Sequence, residues 1–151
     1  MKAETCVFCK ESIKNSIFAE SPNYRAIYNI APILPGHSLI IPKKHFQRIE
    51  EIPDPLLGEM MLFSRQTWKR LQKAFGADAF NWILQDGKEA GQTVMHLHLH
   101  LIPRKDQDLP EPGDWYPRLL EKENKFIDSL ERPRLLPEQM KKIVEYLKKL
   151  S

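Results

Sequence analysis

Three histidines alternate with aliphatic residues in the run Met95-His96-Leu97-His98-Leu99-His100-Leu101-Ile102-Pro103. On an extended chain, alternate side chains share a face. His96, His98 and His100 then lie on one side and Leu97, Leu99 and Leu101 on the other. A helix would scatter the same histidines about its axis in steps of roughly 200°. A strand is therefore expected, with Pro103, which cannot donate to a ladder, marking its end. Three chemistries suit such a row: a solvated face over a leucine core, a metal site, or a nucleophile with flanking helpers. Alternate strand residues are about 6.6 Å apart, so His96 and His100 are too distant to share one ion with bonds near 2.1 Å. In the third reading His98 attacks while a neighbour binds the developing charge. Spacing alone leaves all three open.

A neutral imidazole suits that attack, because its ordinary pKa is about 6.5. To use one ring nitrogen it must keep its proton on the other, which calls for a backbone carbonyl as acceptor. A phosphoryl centre carrying a weakly basic leaving group needs positioning and charge stabilisation more than a strong general acid. No carboxylate in the run is aimed at the histidines. Gly91-Gln92-Thr93, just upstream, offers close backbone approach and two neutral donors, as a phosphate would need; it would serve equally as a hairpin connection. His100 and Gln85 are further candidates for contacting phosphate oxygens. Cys6 and Cys9 form a Cys-x-x-Cys pair, which in a reducing compartment indicates metal or redox chemistry rather than a structural disulfide.

The longer stretch from Gln85-Asp86-Gly87 through Gly91-Gln92-Thr93-Val94-Met95 to His100 closely resembles the signature of the histidine triad (HIT) superfamily. Its Gln-Asp-Gly opening resembles the fragile histidine triad branch in particular. The resemblance runs from about Cys6 to the C-terminal helix. It implies that His98 forms a nucleotidyl intermediate, with His96, His100 and Gln85 beside it. It places the ribose at Asn29, the base between Ile27 and Leu39, and His37 at the pocket edge. Asn29 and Gln85 both depart from the wider superfamily in the direction of the fragile branch, as does the long tail after the triad; these features count against the phosphoramidase branch. The implied activity is hydrolysis of dinucleoside polyphosphates or related nucleotide conjugates at the α-phosphate. Nucleotidyl transfer to phosphate, and nucleotide binding as a regulatory module, are the alternatives. Cys6, Cys9 and His45 also resemble the zinc site of many bacterial relatives, where the first motif histidine, here His96, is the fourth ligand; such a closed set is structural. A divalent ion arriving with the substrate is compatible with this chemistry, and a homodimer is implied.

The elements that must position these groups follow from periodicity. Tyr24 to Ile30 reads as a strand, Ala31 to His37 as a turn with two prolines and a glycine, and Ser38 to Pro42 as a buried strand. After Asp54 as cap and Pro55 at the first helical position, Leu57, Met61, Ser64, Trp68, Leu71 and Phe75 mark one apolar stripe, and Gly76 a stop. Phe80 to Gln85 is a further strand, antiparallel to the histidine run. The polar, proline-punctuated segment 105–137 suits a flexible loop, with Trp115, Tyr116, Leu119 and Leu120 as a short helical turn. An amphipathic helix over 138–150 closes the chain. No element is expected ahead of Tyr24. The whole is expected to be one α+β domain over 1–151: an antiparallel sheet, one long helix and a C-terminal helix.

Composition is that of an ordinary globular chain, 42% hydrophobic and 28% charged. A net charge of +3 suits a small polyanion and is too slight to indicate nucleic acid. No apolar run resembles a signal peptide or approaches the roughly 20 residues of a membrane span. The cytoplasm is the expected compartment.

Overall fold

The computed structural model describes residues 5–109 and 132–150. Five strands form one antiparallel sheet: β1 (Ile17–Glu20), β2 (Tyr24–Tyr28), β3 (Ser38–Pro42), β4 (Ala79–Leu84) and β5 (Leu99–Arg104), in the spatial order β1-β2-β3-β5-β4. Helix α1 (Asp54–Phe75) joins β3 to β4, and α2 (Pro137–Lys149) follows the sheet. Both helices cover the same face. Tyr24, Ala26, Tyr28, Ile40, Leu99 and Leu101 alternate onto that face and share one core with Phe63, Trp68 and Leu71 of α1 and with Met140, Val144 and Leu147 of α2. No described helix is long and apolar enough to cross a membrane.

The other face carries a row that crosses every strand. Ile17 pairs with Ile27, Ile27 with Leu39, Leu39 with His100, and His100 with Ile83. A strand's period of two then brings Ile41 to the same side, where it clusters with Ile27, Leu39, Cys6 and Phe8.

Three expectations need correction. The histidine strand begins at Leu99 rather than ahead of His96, so only His100 lies in the sheet. Pro103 does not end it: the residue pairs with Phe80 inside β5. The proline is tolerated because β3 partners reach only as far as Leu101, leaving one side of the strand without a ladder there. In α1 the stripe steps through Met60 and Phe63, while Met61 is 42% exposed. Both routes satisfy spacings of three and four, and only the helix's rotation on the sheet chooses between them.

Smaller departures lie at the ends of elements. Strand β2 stops at Tyr28, and β1 forms where no element is expected. Helix α1 starts at Asp54, whose side chain makes no cap; the Pro53 carbonyl accepts from Leu56 and Leu57 instead. Gly76 ends the helix in a left-handed conformation as expected. Trp115, Tyr116, Leu119 and Leu120 lie outside the described residues.

The turn between β2 and β3 depends on Gly36. Its φ is +89°, and a Cβ there would come within 2.7 Å of Pro103 and 2.9 Å of Phe75. Tyr28 Oη accepts from its N–H at 2.9 Å. That close approach sets His37 directly beside β5.

Candidate active site

His96, His98 and His100 are all buried, at 1%, 1% and 0% exposure. Each is held differently. His98 Nδ1 lies 2.8 Å from the main-chain oxygen of His96. A carbonyl only accepts, so the proton sits on Nδ1 and the lone pair on Nε2. This is the arrangement an attacking imidazole requires. Two rings meet His98 edge-on, Phe8 at 5.2 Å and His100 at 4.9 Å between centroids.

His100 takes its tautomer from a chain that starts in the Pro-Gly-His turn. The Ile33 N–H donates to His37 Nδ1 at 3.2 Å, which leaves the His37 proton on Nε2. That atom is 2.9 Å from His100 Nδ1. His37 donates, and His100 then carries its own proton on Nε2, as a donor suited to a phosphate oxygen. Asn29 Nδ2 also approaches His37 Nε2, at 3.3 Å. Both are donors in this tautomer, and the shorter His37–His100 contact decides. Asn29 Oδ1 meanwhile accepts from the Ala31 N–H at 2.9 Å.

His96 points away from this pair. Its Nε2 donates to the Pro42 carbonyl at 2.9 Å, which aims Nδ1 at the two cysteines. Nδ1 lies 3.4 Å from Cys6 Sγ and 3.5 Å from Cys9 Sγ, while His45 Nδ1 is 3.4 Å from Cys9 Sγ. The four ligand atoms all lie within 4.8 Å of one another. A tetrahedral ion with bonds of about 2.0–2.3 Å has edges of roughly 3.3–3.8 Å, which the three thiol–imidazole separations of 3.4, 3.5 and 3.4 Å already match. Cys6, Cys9, His45 and His96 could therefore hold a metal. Burial pushes the His96 imidazole down to about 4, and the nearby His45, His98 and Arg25 push the same way against the Pro42 carbonyl. It stays neutral, as a ligand must. Without metal, burial and the adjacent Cys6 raise the Cys9 thiol to about 11.

The loop between β4 and the histidines is closed on itself. Gln92 is buried, and its carboxamide accepts from the Gly87 N–H at 2.8 Å while donating to the Gln47 and Val94 carbonyls at 3.1 and 3.0 Å. Its amide holds the loop rather than standing open to a ligand. Gly87, at φ +103°, lets Arg48 lie against the backbone, where a Cβ would meet Nη1 at 3.0 Å. Arg48 is also ion-paired to Asp86 at 2.8 Å. Gly91 is left-handed and Thr93 exposed. Gln85 Nε2 donates to the Ala90 carbonyl, and its buried Oε1 has no partner among the described residues.

The sheet thus brings Ile27, Leu39 and His100 into one row, with His37 beside His100 and Asn29 beside His37, and the group that could hold a metal adjoins His98 through His96 and Phe8. Two participants escape sequence reasoning. Phe8 touches both His96 and His98; an aromatic between two cysteines is its one visible mark. The Pro42 carbonyl leaves no mark, since it belongs to the backbone.

The chain is thus an α+β fold: one antiparallel sheet with both helices on one face, and a central strand, β5, carrying His100 with His96 and His98 buried just ahead of it. The HIT domain model matches residues 10–107. This chain belongs to the HIT family. It is 38% identical over 104 residues to the asymmetrical bis(5'-nucleosyl)-tetraphosphatase of Schizosaccharomyces pombe, covering 69% of this chain and 57% of that protein. It is 41% identical over 106 residues to the adenosine 5'-monophosphoramidase HNT1 of Saccharomyces cerevisiae, covering 68% of this chain and 64% of that protein. The chain therefore spans less than two thirds of either relative's length. Among solved structures, the Plasmodium falciparum diadenosine triphosphate hydrolase in complex with cyclomarin A superposes with a TM-score of 0.71 at 26% identity, covering 91% of this chain and 80% of that one. Related HIT proteins are thus named as hydrolases of dinucleoside polyphosphates.

Proposed function

We propose that the chain acts as a single-domain hydrolase of dinucleoside polyphosphates or related nucleotide conjugates, cleaving at the α-phosphate. The observation that carries this is the His98 Nδ1–H held on the His96 carbonyl, in a site where Ile27, Leu39 and His100 share a row. A nucleoside seated against Ile27 and Leu39, with its ribose at Asn29, sets its own α-phosphorus before His98. Nε2 attacks, the P–O bond to the leaving nucleotide breaks, and a nucleotidyl-histidine forms. His100, donating from Nε2, stabilises the charge on the phosphoryl oxygens. Thr93 would offer a further hydroxyl donor, with Gly91, whose N–H is taken by the Lys88 carbonyl, and Gln92 shaping the loop and Gln85 beside it. Water then attacks the phosphorus, the P–Nε2 bond breaks with its electron pair returning to the imidazole, and the water's proton passes to solvent, releasing nucleoside monophosphate and restoring neutral His98. A divalent ion bound to the polyphosphate would offset its charge.

Cys6, Cys9, His45 and His96 would hold zinc, which supplies a structural cross-link with no open position for substrate. The reduced thiols it needs suit a cytoplasmic setting. A homodimer is proposed through the edge strand β4, whose outer backbone is not covered by another described strand.

The test is bond choice. Diadenosine tetraphosphate should give AMP and ATP, and hydrolysis in labelled water should place the label on AMP. Two ADP from that substrate would contradict the geometry, and label confined to ATP would show water rather than His98 attacking. A second reading, P–N cleavage of a nucleoside phosphoramidate, draws on the 41% identity to the yeast phosphoramidase. It predicts a preference for adenosine phosphoramidate over the tetraphosphate under the same assay. Inorganic phosphate accelerating turnover and yielding ADP from the AMP half would instead indicate nucleotidyl transfer, and tight binding without turnover a regulatory module.

A further inference from the structure

A cross-link needs only its four ligands, yet the loop that supplies two of them also reaches the nucleophile. Cys6 to Cys9 is a single tight turn, closed by the Cys9 N–H on the Cys6 carbonyl at 3.1 Å. Both thiols face His96. Phe8, between them, is 9% exposed and meets the His98 ring edge-on at 5.2 Å and 68°. The same ring meets His96 at 5.8 Å and 81°.

A second link runs through the backbone. His96 is held at Nδ1 by the thiol pair and at Nε2 by Pro42, and its carbonyl in turn receives the His98 proton. Rotation about χ2 is broad for a histidine, so the ring plane needs lateral contacts. The Phe8 and His100 rings provide them.

We infer that the Cys6–Cys9 loop is a positioning element for the nucleophile. Phe8 braces the His98 ring, and ligation of His96 steadies the carbonyl that holds its Nδ1–H. Phe8 is a positioning residue, and the metal-ligating group affects the rate of attack without touching substrate. The inference rests on His98 being the nucleophile. A misplacement of about 1 Å at a reacting atom costs on the order of a hundredfold in rate, so modest loosening is measurable.

The experiment compares Phe8→Leu, Cys9→Ser, their combination and the ligand-restoring Cys9→His. Each is assayed for metal content, kcat, KM and the ring-proton resonance of His98 at fixed pH without nucleotide. Phe8→Leu should keep its metal yet lose about tenfold or more in kcat and shift the His98 resonance. Cys9→Ser should lose the metal and show a similar fall in kcat. The double variant should be worse than Cys9→Ser by no more than about threefold, since loss of the metal frees the loop that carries Phe8 and both changes act on the same His98 ring. Cys9→His should recover metal, resonance and kcat together. Cys9→Ser protein that is metal-free and less stable, with kcat within twofold and an unmoved His98 resonance, would reduce the loop to a cross-link. Phe8→Leu changing KM alone would make Phe8 only a pocket wall. If Cys9→Ser does not fold, Phe8→Leu at full metal content decides the question. Mass spectrometry of quenched wild-type protein locates the nucleotidyl adduct. An adduct absent from His98 defeats the hydrolytic mechanism itself, while the ring resonance still reports on the bracing.

Discussion

The two faces of the sheet are buried to a similar degree with opposite chemistry. Beneath the helices, Tyr24, Ala26, Ile40, Leu99 and Leu101 pack with α1 and α2, and exchange of one apolar side chain for another is a matter of volume. On the other face Asn29, His37, His96, His98 and His100 are as deeply buried, and each depends on a directional partner. Buried polar groups are tolerated only when bonded, so this face trades packing freedom for fixed tautomers. Substitutions on the helix side should therefore spend themselves on stability, and those on the histidine side on chemistry.

The sharpest break is His98→Ala. It should lower kcat by on the order of a thousandfold or more while nucleotide affinity, measured by calorimetry, changes little. Retained turnover within tenfold, a barrier change of only about 1.4 kcal/mol, would remove the covalent step.

Leu71→Ala tests the opposite face. Leu71 is fully buried in the helix-side core, and truncation should cost about 3 kcal/mol and lower Tm by roughly 10 °C. Assayed well below that Tm, kcat should stay within twofold. A large kcat loss in fully folded protein would show that the two faces are coupled through the sheet.

The third effect is gentler and concerns acid. The unfolded chain protonates His96 near 6.5, whereas the folded, metal-free protein does so only at about 4. Between those values the unfolded state binds more protons. Stability is thus fully present above pH 6.5 and is lost as pH falls toward 4, by up to about 1.4 kcal/mol per pH unit. Thermal melts of metal-free protein across that window should show the slope, and His96→Asn should flatten it. Equal slopes in the two proteins would mean that the imidazole is not held neutral by burial.

Much of this organisation is legible in the residues themselves. Strand β3 and the start of α2 fall within a residue of expectation, and Gly76 stops α1, because local periodicity and a left-handed glycine need no tertiary information. Cys6, Cys9, His45 and His96 also come together, close enough that they could hold one ion. The histidine run is the instructive departure. Its alternation is compatible with a continuous strand, yet only His100 enters the sheet. The Leu97 N–H is taken instead by the Phe46 carbonyl, outside any ladder. Alternation reports which side chains share a side and says nothing of where hydrogen bonding to a neighbour begins.

What the sequence determined by itself is therefore the inventory: which side chains carry chemistry, which apolar periods build strands and helices, and which family the motif belongs to. The tertiary structure decided direction. It turned His96 toward the thiols and His98 onto a carbonyl, and it set the His100 proton through His37. It also chose Met60 over Met61 for the core and brought Phe8 to His98. The physical reason is that a tautomer and a ring plane are set by partners distant in sequence. His96 is fixed by Cys6 and Pro42, His100 by His37 and so by Ile33, and pairings of that kind exist only once the sheet has formed.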